Sequence, residues 1–210
     1  MKVYFNLSDI MKNLSVLLIF FVLFTSSLNA QDARFGIRLG PSFTTVSGEF
    51  IDRNSFIVGY HAGGYVNIRI SEHMSIEPGL QWATKGASND LLGGPGGPVE
   101  LRSRNSYLDI PILLKYDASK SVFFLIGAQP SFLLNSAMII RVDEGKTVDK
   151  SKSIKDSYND FDFAGLIGLG FNLGLGINLQ LNYEHGLANI SADGGSNFNR
   201  GFKFSLGKTF

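Results

Sequence analysis

Apolar residues alternate one by one with polar or small residues over eight segments of the chain. In the first segment, Phe35, Ile37, Leu39 and Phe43 occupy odd positions, and glycine, arginine, serine and threonine occupy the even ones. Because successive side chains of a β-strand point to opposite faces, this period of two predicts strands with one apolar and one polar face. The alternation covers residues 35–44, 56–70, 74–85, 108–116, 126–132, 161–171, 175–183 and 202–210.

The connections between the predicted strands are short on one side and long on the other. Short turns are predicted at residues 71–73, 117–121 and 172–174, and long loops at residues 48–55, 87–103, 136–159 and 188–199. This layout, with an even number of strands, is typical of an outer-membrane barrel, and a sheet in lipid has to close because its backbone groups must be paired internally. The predicted fold class is all-β, an eight-stranded antiparallel up-and-down transmembrane β-barrel over residues 31–210.

A soluble eight-stranded barrel would show the same alternation, with its apolar face inside and its polar face in water. The polar face of this chain is rich in glycine, serine, asparagine and alanine, as a narrow, crowded interior requires. Trp82, Tyr107, Tyr183 and Phe210 lie toward predicted strand ends, as in the aromatic girdles of membrane barrels. Charged residues make up 18% of the chain, against roughly 25% in soluble domains. These features favour the membrane barrel.

The N-terminal segment, residues 1–30, has the layout of a secretory signal peptide. Lys12 precedes the apolar segment Leu14–Phe24, and Leu28, Asn29 and Ala30 form a small-residue cleavage site. As a helix, the apolar segment would rise about 16 Å, roughly half of the hydrocarbon core, so it is too short for an anchor. We expect cleavage after Ala30 and export, with Met11 as the true start.

Composition excludes several kinds of site. The chain has no cysteine, which excludes disulfides, cysteine-ligated metals, a cysteine nucleophile and an acylated lipoprotein cysteine. The formal net charge is +1, so the chain lacks the basic balance of a nucleic-acid-binding protein.

Four segments resemble a known family. They are residues 35–42, 77–86 and 127–130, together with the most specific one, Tyr107–Tyr116 with the sequence YLDIPILLKY. Through them the chain from Phe35 to Phe210 resembles the PorT-like outer-membrane β-barrel proteins of Bacteroidetes, a group within the porin families. The resemblance implies an outer-membrane location and a small barrel. The family is named after a secretion-associated member, but most members have no assigned role, so that role is not implied for this chain.

The last predicted strand carries an apolar row that ends on an aromatic residue. The row resembles the C-terminal signal by which the outer-membrane barrel assembly machinery recognises its clients, and it consists of Phe202, Phe204, Leu206 and Phe210. The resemblance implies transient binding to that machinery. A barrel of this kind would also contact outer-membrane lipid and lipopolysaccharide.

Four prolines fall inside predicted strands, at Pro41, Pro78, Pro111 and Pro130. Proline cannot donate a ladder hydrogen bond, and a closed barrel has no free edge to accommodate it. We therefore expect each proline to mark a bulge or a missing ladder bond.

In each predicted strand, the odd or the even positions share one face, and we call this the parity of a residue. Charged residues of both signs have the parity of the inward, polar face. The lumen of an eight-stranded barrel is just wide enough to be filled by side chains. An ion path is one interpretation of these charges, and a mutually neutralising salt-bridge network is the one that the narrow lumen favours. The predicted network comprises Arg38, Arg69, Glu77, Lys85, Asp109, Lys115, Glu184 and Lys203. Glu184 and Lys203 lie almost equidistant from the last loop, so an ion pair is predicted between them.

No catalytic, cofactor or metal site is predicted. His185 has lipid-facing parity near the loop side, which resembles the histidine of barrel enzymes that modify lipid A, but the nearest nucleophile candidate, Ser191, lies out in the loop. His61 points inward, where a hydrogen-bonded interior histidine is expected. The charged loop at residues 136–159 lacks an EF-hand pattern.

We therefore expect a non-enzymatic outer-membrane protein with a structural or surface-interaction role. Its loops at residues 87–103 and 136–159 are the candidate contacts for an extracellular ligand. A small porin-like pore is the alternative, and a secretion-associated component or a lipid-modifying enzyme are further interpretations.

Overall fold

The computed structural model describes residues 33–48, 54–91, 99–142, 146–192 and 194–210, and the predicted signal peptide lies outside them. Ten strands are described: β1 Ala33–Gly48, β2 Asn54–Arg69, β3 Met74–Leu91, β4 Val99–Asp109, β5 Ile112–Asp117, β6 Val122–Val142, β7 Lys146–Ser153, β8 Phe161–Gly174, β9 Ile177–Gly186 and β10 Asn197–Thr209. A 3₁₀ turn, Lys155–Ser157, precedes β8. No helix among the described residues is long and apolar enough to cross a membrane.

Eight barrel strands form a closed ring. β4 and β5 together make one barrel strand, interrupted at Ile110 and Pro111, which pairs with β3 on one side and β6 on the other. The ring then continues through β8, β9 and β10 to β1, and β2 closes it by pairing with both β1 and β3. The prediction of an eight-stranded antiparallel up-and-down barrel is confirmed.

The two ends of the barrel differ in their connections. We call the end with the short connections at residues 70–73, 118–121 and 175–176 the turn end, and the opposite end the loop end. The β8–β9 turn is the tightest, because Gly174, Leu175 and Gly176 all have positive φ, at 91°, 52° and 75°. Glycine adopts this conformation readily, whereas Leu175 adopts it at a cost.

Several strands extend beyond the predicted cores at the loop end. The predicted loop at residues 87–103 is wrong over most of its length, because β3 continues to Leu91 and β4 begins at Val99. The predicted loop at residues 136–159 is also largely strand, since β6 continues to Val142 and β7 pairs with it. Alternation disappears from the sequence here because both faces of a strand that has left the membrane can be polar, while backbone pairing continues unchanged.

The apolar face of the barrel points outward. Exposed outward residues include Phe35, Leu39, Ile126 and Ile167, the last with 60% of its surface accessible. Polar and charged side chains fill the interior, where many are almost completely buried. This is the reverse of a soluble barrel, and it is the arrangement that lipid outside and a packed lumen inside require.

Aromatic residues contact one another on the outward face near the loop end. Ring centroids lie 4.8 Å apart for Tyr60 and Trp82 and 5.2 Å apart for Tyr183 and Phe202. Tyr107 was expected in this girdle, but that expectation is wrong: its side chain is completely buried in the lumen. Tyr107 lies two residues before Asp109 in β4, so both side chains point inward. Its position in the strand predicts the direction of the side chain better than its residue type does.

Strand pairing is interrupted beside all four prolines without a shift in register. The β1–β10 pairing skips Gly40 and Pro41, and the β2–β3 pairing skips Pro78. The pairing of β4 and β5 with β6 skips Pro111 and also Pro130, which faces Ile110. Proline therefore costs the barrel local ladder bonds but leaves the parity of each strand intact.

Candidate functional site

The lumen contains a buried group of five charged side chains, which we call the loop-side cluster. Each member comes from a different strand: Lys85 from β3, Asp109 from β4, Asp162 from β8, Glu184 from β9 and Lys203 from β10. Each of these side chains is 4% exposed or less. Because the five strands surround the lumen, the cluster ties opposite walls of the barrel together.

The two lysines of the loop-side cluster share the three carboxylates. Lys203 Nζ lies 2.7 Å from Asp109 Oδ2 and 2.9 Å from Glu184 Oε2. Lys85 Nζ lies 3.3 Å from Asp109 Oδ1 and 3.4 Å from Asp162 Oδ2, and it also contacts Glu184 Oε1. With all groups ionised, the cluster has one negative charge in excess, so every carboxylate depends on the lysines for its partners.

Neutral polar side chains complete the loop-side cluster. Asn199 donates to Asp162 over 2.9 Å, and Lys203 donates to Gln129 over 3.2 Å. Lys85 Nζ also lies 4.9 Å from the ring centroid of Tyr107, on the loop-end side of the lumen. Buried ions need such additional hydrogen bonds, because Coulomb attraction between partners barely offsets the loss of water.

A second group nearer the turn end, the turn-side cluster, consists of Arg38, Glu77, Lys115 and Asp117. Arg38 donates to Glu77 over 2.7 Å, and Lys115 Nζ lies 4.0 Å from Glu77 and 3.5 Å from Asp117. Both cations also stack on aromatic rings, Arg38 at 4.2 Å from the centroid of Tyr65 and Lys115 at 4.1 Å from that of Phe123.

Little free space separates the two clusters. His61 and Ser205 share a hydrogen bond of 2.8 Å across this level of the lumen, and Gln81 donates to Gln129 over 3.4 Å. The cavity between them measures about 10 Å³, which is room for at most one water molecule. The described residues therefore leave almost no space for water at this level of the lumen.

The predicted network residues divide into two groups and one outlier. The structure brings Lys85, Asp109, Glu184 and Lys203 into the loop-side cluster. Arg38, Glu77 and Lys115 lie in the turn-side cluster. Placing Arg69 in the network was wrong, because its side chain is exposed at the turn end, where its strand stops and the lumen opens to water.

Sequence reasoning missed Asp162 as a member of the network. The alternation through β8 places the side chain of every even-numbered residue inside the barrel, so the sequence already indicated that Asp162 points inward. Tyr107 and Asn199 were missed as well, because an aromatic and an amide carry no charge pattern that marks them as partners of buried ions.

The row Phe202, Phe204, Leu206 and Phe210 lies on the outward face and is exposed. The backbone N–H of Phe210 donates to the carbonyl of Phe35 over 2.8 Å, which joins the two terminal strands of the ring at the turn end.

An apolar layer covers the lumen at the loop end. Val46, Ala87 and Ile190 are buried together, and Tyr158 packs against them. The segment after the 3₁₀ turn is held to the β9–β10 connection by a bridge between Tyr158 and Ser191 and by Asn159, whose side chain donates to the carbonyls of residues 189 and 191. This layer separates the buried charges from the outside.

Above the apolar layer lies an open cavity of about 330 Å³, which we call the cup. Its walls combine apolar and small polar side chains, namely Val46, Ala87, Leu101, Met138, Ile154 and Tyr158 with Asn89, Ser103, Ser157, Ser191 and Asn197. Arg102 also borders it and is paired with Glu100 at 2.8 Å. The cup therefore presents hydroxyl, amide and apolar groups.

His185 and Ser191 are not hydrogen-bonded to each other. His185 Nδ1 lies 3.2 Å from the hydroxyl of Tyr183, and Ser191 Oγ donates to the carbonyl of Gly194 over 3.0 Å. No group of three or more histidine, aspartate or glutamate side chains in the described residues has the arrangement of a metal site.

Three solved structures resemble the chain in strand arrangement. Ail, the attachment invasion locus protein of Yersinia pestis, shares 12% identity over 86% of this chain and 100% of that chain, with a TM-score of 0.49. Neisserial surface protein A shares 13% identity over the same fractions, with a TM-score of 0.47. Outer membrane protein W of E. coli shares 12% identity over 86% of this chain and 100% of that chain, with a TM-score of 0.37. Identities this low identify no shared function.

No curated protein sequence matches the chain. A family does match it: the outer membrane protein beta-barrel domain aligns with residues 29–192, which is most of the chain and includes nine of the ten strands. The expected location in the outer membrane is confirmed. In such barrels the short turns face the periplasm and the longer loops face outside, which orients the turn end and the loop end. The chain belongs to the outer membrane protein beta-barrel domain family.

Proposed function

We propose that this protein is a non-enzymatic outer-membrane barrel with a surface-interaction role, and that it contacts its extracellular ligand through the cup. The observation that carries the proposal is the contrast between the two spaces inside the barrel. The lumen is filled by buried ion pairs, whereas the cup above it is open to the outside and, among the described residues, is bounded by neutral groups and by Arg102, which is paired with Glu100.

A conducting role is less well supported by this interior. Ions would have to displace Lys85 and Lys203, each of which is held by at least two carboxylates. Removing one partner from a buried ion pair costs about 3–5 kcal/mol, so spontaneous opening of the lumen would be rare. The apolar layer of Val46, Ala87 and Ile190 adds a second barrier at the loop end.

The cup is suited to an uncharged group with both apolar and hydroxyl or amide parts. Its volume of about 330 Å³ falls within the range of small-ligand sites. Tyr158 offers an aromatic face, and Asn89 and Asn197 offer amides that both donate and accept. Such a group could be a sugar unit or a side chain of a protein surface, and the two are distinguished by the probes used below.

We also propose that the chain is a PorT-like member of its family. Support comes from the segment Tyr107–Tyr116, the most specific part of the resemblance, because it supplies Tyr107, Asp109 and Lys115 to the lumen. This segment would then encode the filled interior and not a secretion function, so a secretion-associated role is not proposed.

An array experiment tests the surface-interaction role. The purified barrel, biotinylated at a single thiol introduced by Ser119→Cys at the turn end, is applied in lipid nanodiscs to arrays of extracellular-matrix proteins and of glycans. The chain has no other cysteine, so the label occupies one known site. We expect the barrel to be retained by one class of probe on the array.

A cup-filling variant provides the decisive comparison. Ser157 is exposed at the rim of the cup, so Ser157→Trp should fill the cavity without disturbing a barrel strand. Retention should fall at least tenfold in this variant and stay unchanged in the matched control Asn172→Trp at the turn end. Equal retention of both variants, or no retention of the parent barrel on either array, would show that the proposal is wrong.

A further inference from the structure

The turn end of the barrel opens into a cavity of about 560 Å³, which we call the vestibule. Its charged residues are four cations, Arg34, Arg69, Lys115 and Lys120, and two acids, Glu72 and Asp117. The vestibule faces the lumen axis and its wall is mainly polar, so lipid does not occupy it. Lys115 and Asp117 of the turn-side cluster line it.

Most of the positive charge in the vestibule is unpaired. Lys115 is neutralised by Asp117 and Glu77, whereas three cations, Arg34, Arg69 and Lys120, and one acid, Glu72, form no ion pair with any described residue, which leaves a net charge of +2. This surplus is local, since the whole chain has a formal net charge of only +1. At the opposite end, Arg102, the one charged residue among the described ones that border the cup, is paired.

The unpaired cations come from different parts of the ring. Arg34 lies at the start of β1, Arg69 at the end of β2, and Lys120 in the β5–β6 turn. A single small anion would be contacted by one or two of them, whereas a ligand with several carboxylates could contact all three. Asn67 and Asn172 also line the vestibule; their side-chain N–H groups donate within the barrel, and their side-chain carbonyl oxygens can accept from a peptide N–H.

We propose that the vestibule binds an acidic peptide segment of a periplasmic partner. Carboxylates of the peptide pair with Arg34, Arg69 and Lys120, and the asparagine amides hydrogen-bond to its backbone. Complementary charge of this kind sets the rate of encounter and the specificity more than the affinity, so binding is fast, salt-sensitive and moderate in strength. This inference goes beyond the surface-interaction role and does not depend on it, because it concerns the other end of the barrel.

Binding is measured with the full barrel in nanodiscs and a tetraglutamate peptide as the probe. A fluorophore on Ser119→Cys reports from the vestibule, and one on Ser157→Cys reports from the cup as a location control. We expect tetraglutamate to change the first signal and not the second, with affinity falling as salt rises from 50 to 500 mM. Tetraglutamine should produce no change.

Charge-removing variants identify the site. An exposed ion pair contributes up to about fivefold in affinity, so Arg34→Gln with Arg69→Gln should weaken tetraglutamate binding by about twofold to 25-fold. Lys120→Gln, in an exposed turn that tolerates substitution, should weaken it about twofold to fivefold. Arg104→Gln, an exposed cation near the loop end, is the matched control and should leave the affinity unchanged.

Three results would overturn the proposal. One is equal binding of tetraglutamate and tetraglutamine, and another is unchanged affinity in both the double variant and Lys120→Gln. The third is complete displacement of tetraglutamate by an equal concentration of inorganic phosphate, which would indicate a site for small anions in place of a peptide. Heat-modifiable gel mobility confirms that each variant is folded before binding is measured.

Discussion

At the scale of single residues, the loop-side cluster depends on two lysines that are shared among three carboxylates. Lys203 pairs Glu184 with Asp109, and Lys85 pairs all three acids. Removing one member therefore changes the surroundings of several others. The energetic consequences can be predicted from charge balance together with the number of partners that each member contacts.

The ion pair between Glu184 and Lys203 should show strong coupling. Their strands are in register with Glu184 opposite Gly201, one rung from Lys203, and the two charged groups lie 2.9 Å apart. Removing either partner leaves a buried charge poorly matched and should cost about 3–5 kcal/mol, whereas Glu184→Gln combined with Lys203→Met should cost less than the sum. Urea unfolding in lipid measures all three variants. Strict additivity would mean that the two side chains do not interact.

Replacing Lys85 should cost far more than replacing Asp162, the acid that contacts only one of the two lysines. Lys85→Met leaves three carboxylates with one lysine, whereas Asp162→Asn leaves two carboxylates with two lysines. We expect Lys85→Met to lose about 3–5 kcal/mol of unfolding free energy and Asp162→Asn to lose about 1–2 kcal/mol, mostly from its altered hydrogen bonds. Asp160→Asn, next along the chain but exposed and paired with Lys155, serves as the control and should lose less than about 1 kcal/mol. Equal losses for Lys85→Met and Asp162→Asn would contradict the charge balance.

At the scale of strands and turns, the β8–β9 turn contains a residue that does not suit its conformation. Leu175 has a φ of 52° and is 90% exposed, so it gains little from burial while its backbone lies in the left-handed region. This conformation costs roughly 1–2 kcal/mol for a branched L-residue and much less for asparagine or glycine.

Leu175→Asn should therefore stabilise the barrel by about 1 kcal/mol. The gain is measured by urea unfolding in lipid, with Leu173→Asn as the neighbouring control, since Leu173 lies within β8 on the outward face. That control should be neutral or destabilising. A loss of stability in Leu175→Asn would show that the leucine side chain contributes more at the membrane surface than its backbone costs.

The strand cores could be predicted from the sequence because lipid outside and a packed lumen inside impose opposite demands on alternate residues. Parity places Arg38, Glu77 and Asp109 inside without any knowledge of their partners. Parity says nothing about where a strand stops, so Arg69 was placed inside although β2 ends there. Beyond the membrane the alternation fades, and β7 and the extended ends of β3, β4 and β6 could not be predicted from it.

At the scale of the whole molecule, the barrel is closed in the middle and open at both ends. The loop-side and turn-side clusters fill the lumen, the cup opens outside, and the vestibule opens toward the periplasm. The two open spaces differ in chemistry, since the charged residue that borders the cup among the described residues, Arg102, is paired, whereas the vestibule carries unpaired cations. A molecule of this design presents different surfaces to the two compartments without connecting them.

Planar-bilayer conductance of the purified barrel tests this account most directly. A 16-stranded porin, whose wide lumen holds water, serves as the positive control in the same bilayer. The filled lumen predicts no steady open-channel current from the parent barrel across the voltage range in which the porin conducts. Reproducible unitary currents from the parent barrel, at protein densities where empty detergent gives none, would show that the ion-paired lumen opens and that the protein is a small pore.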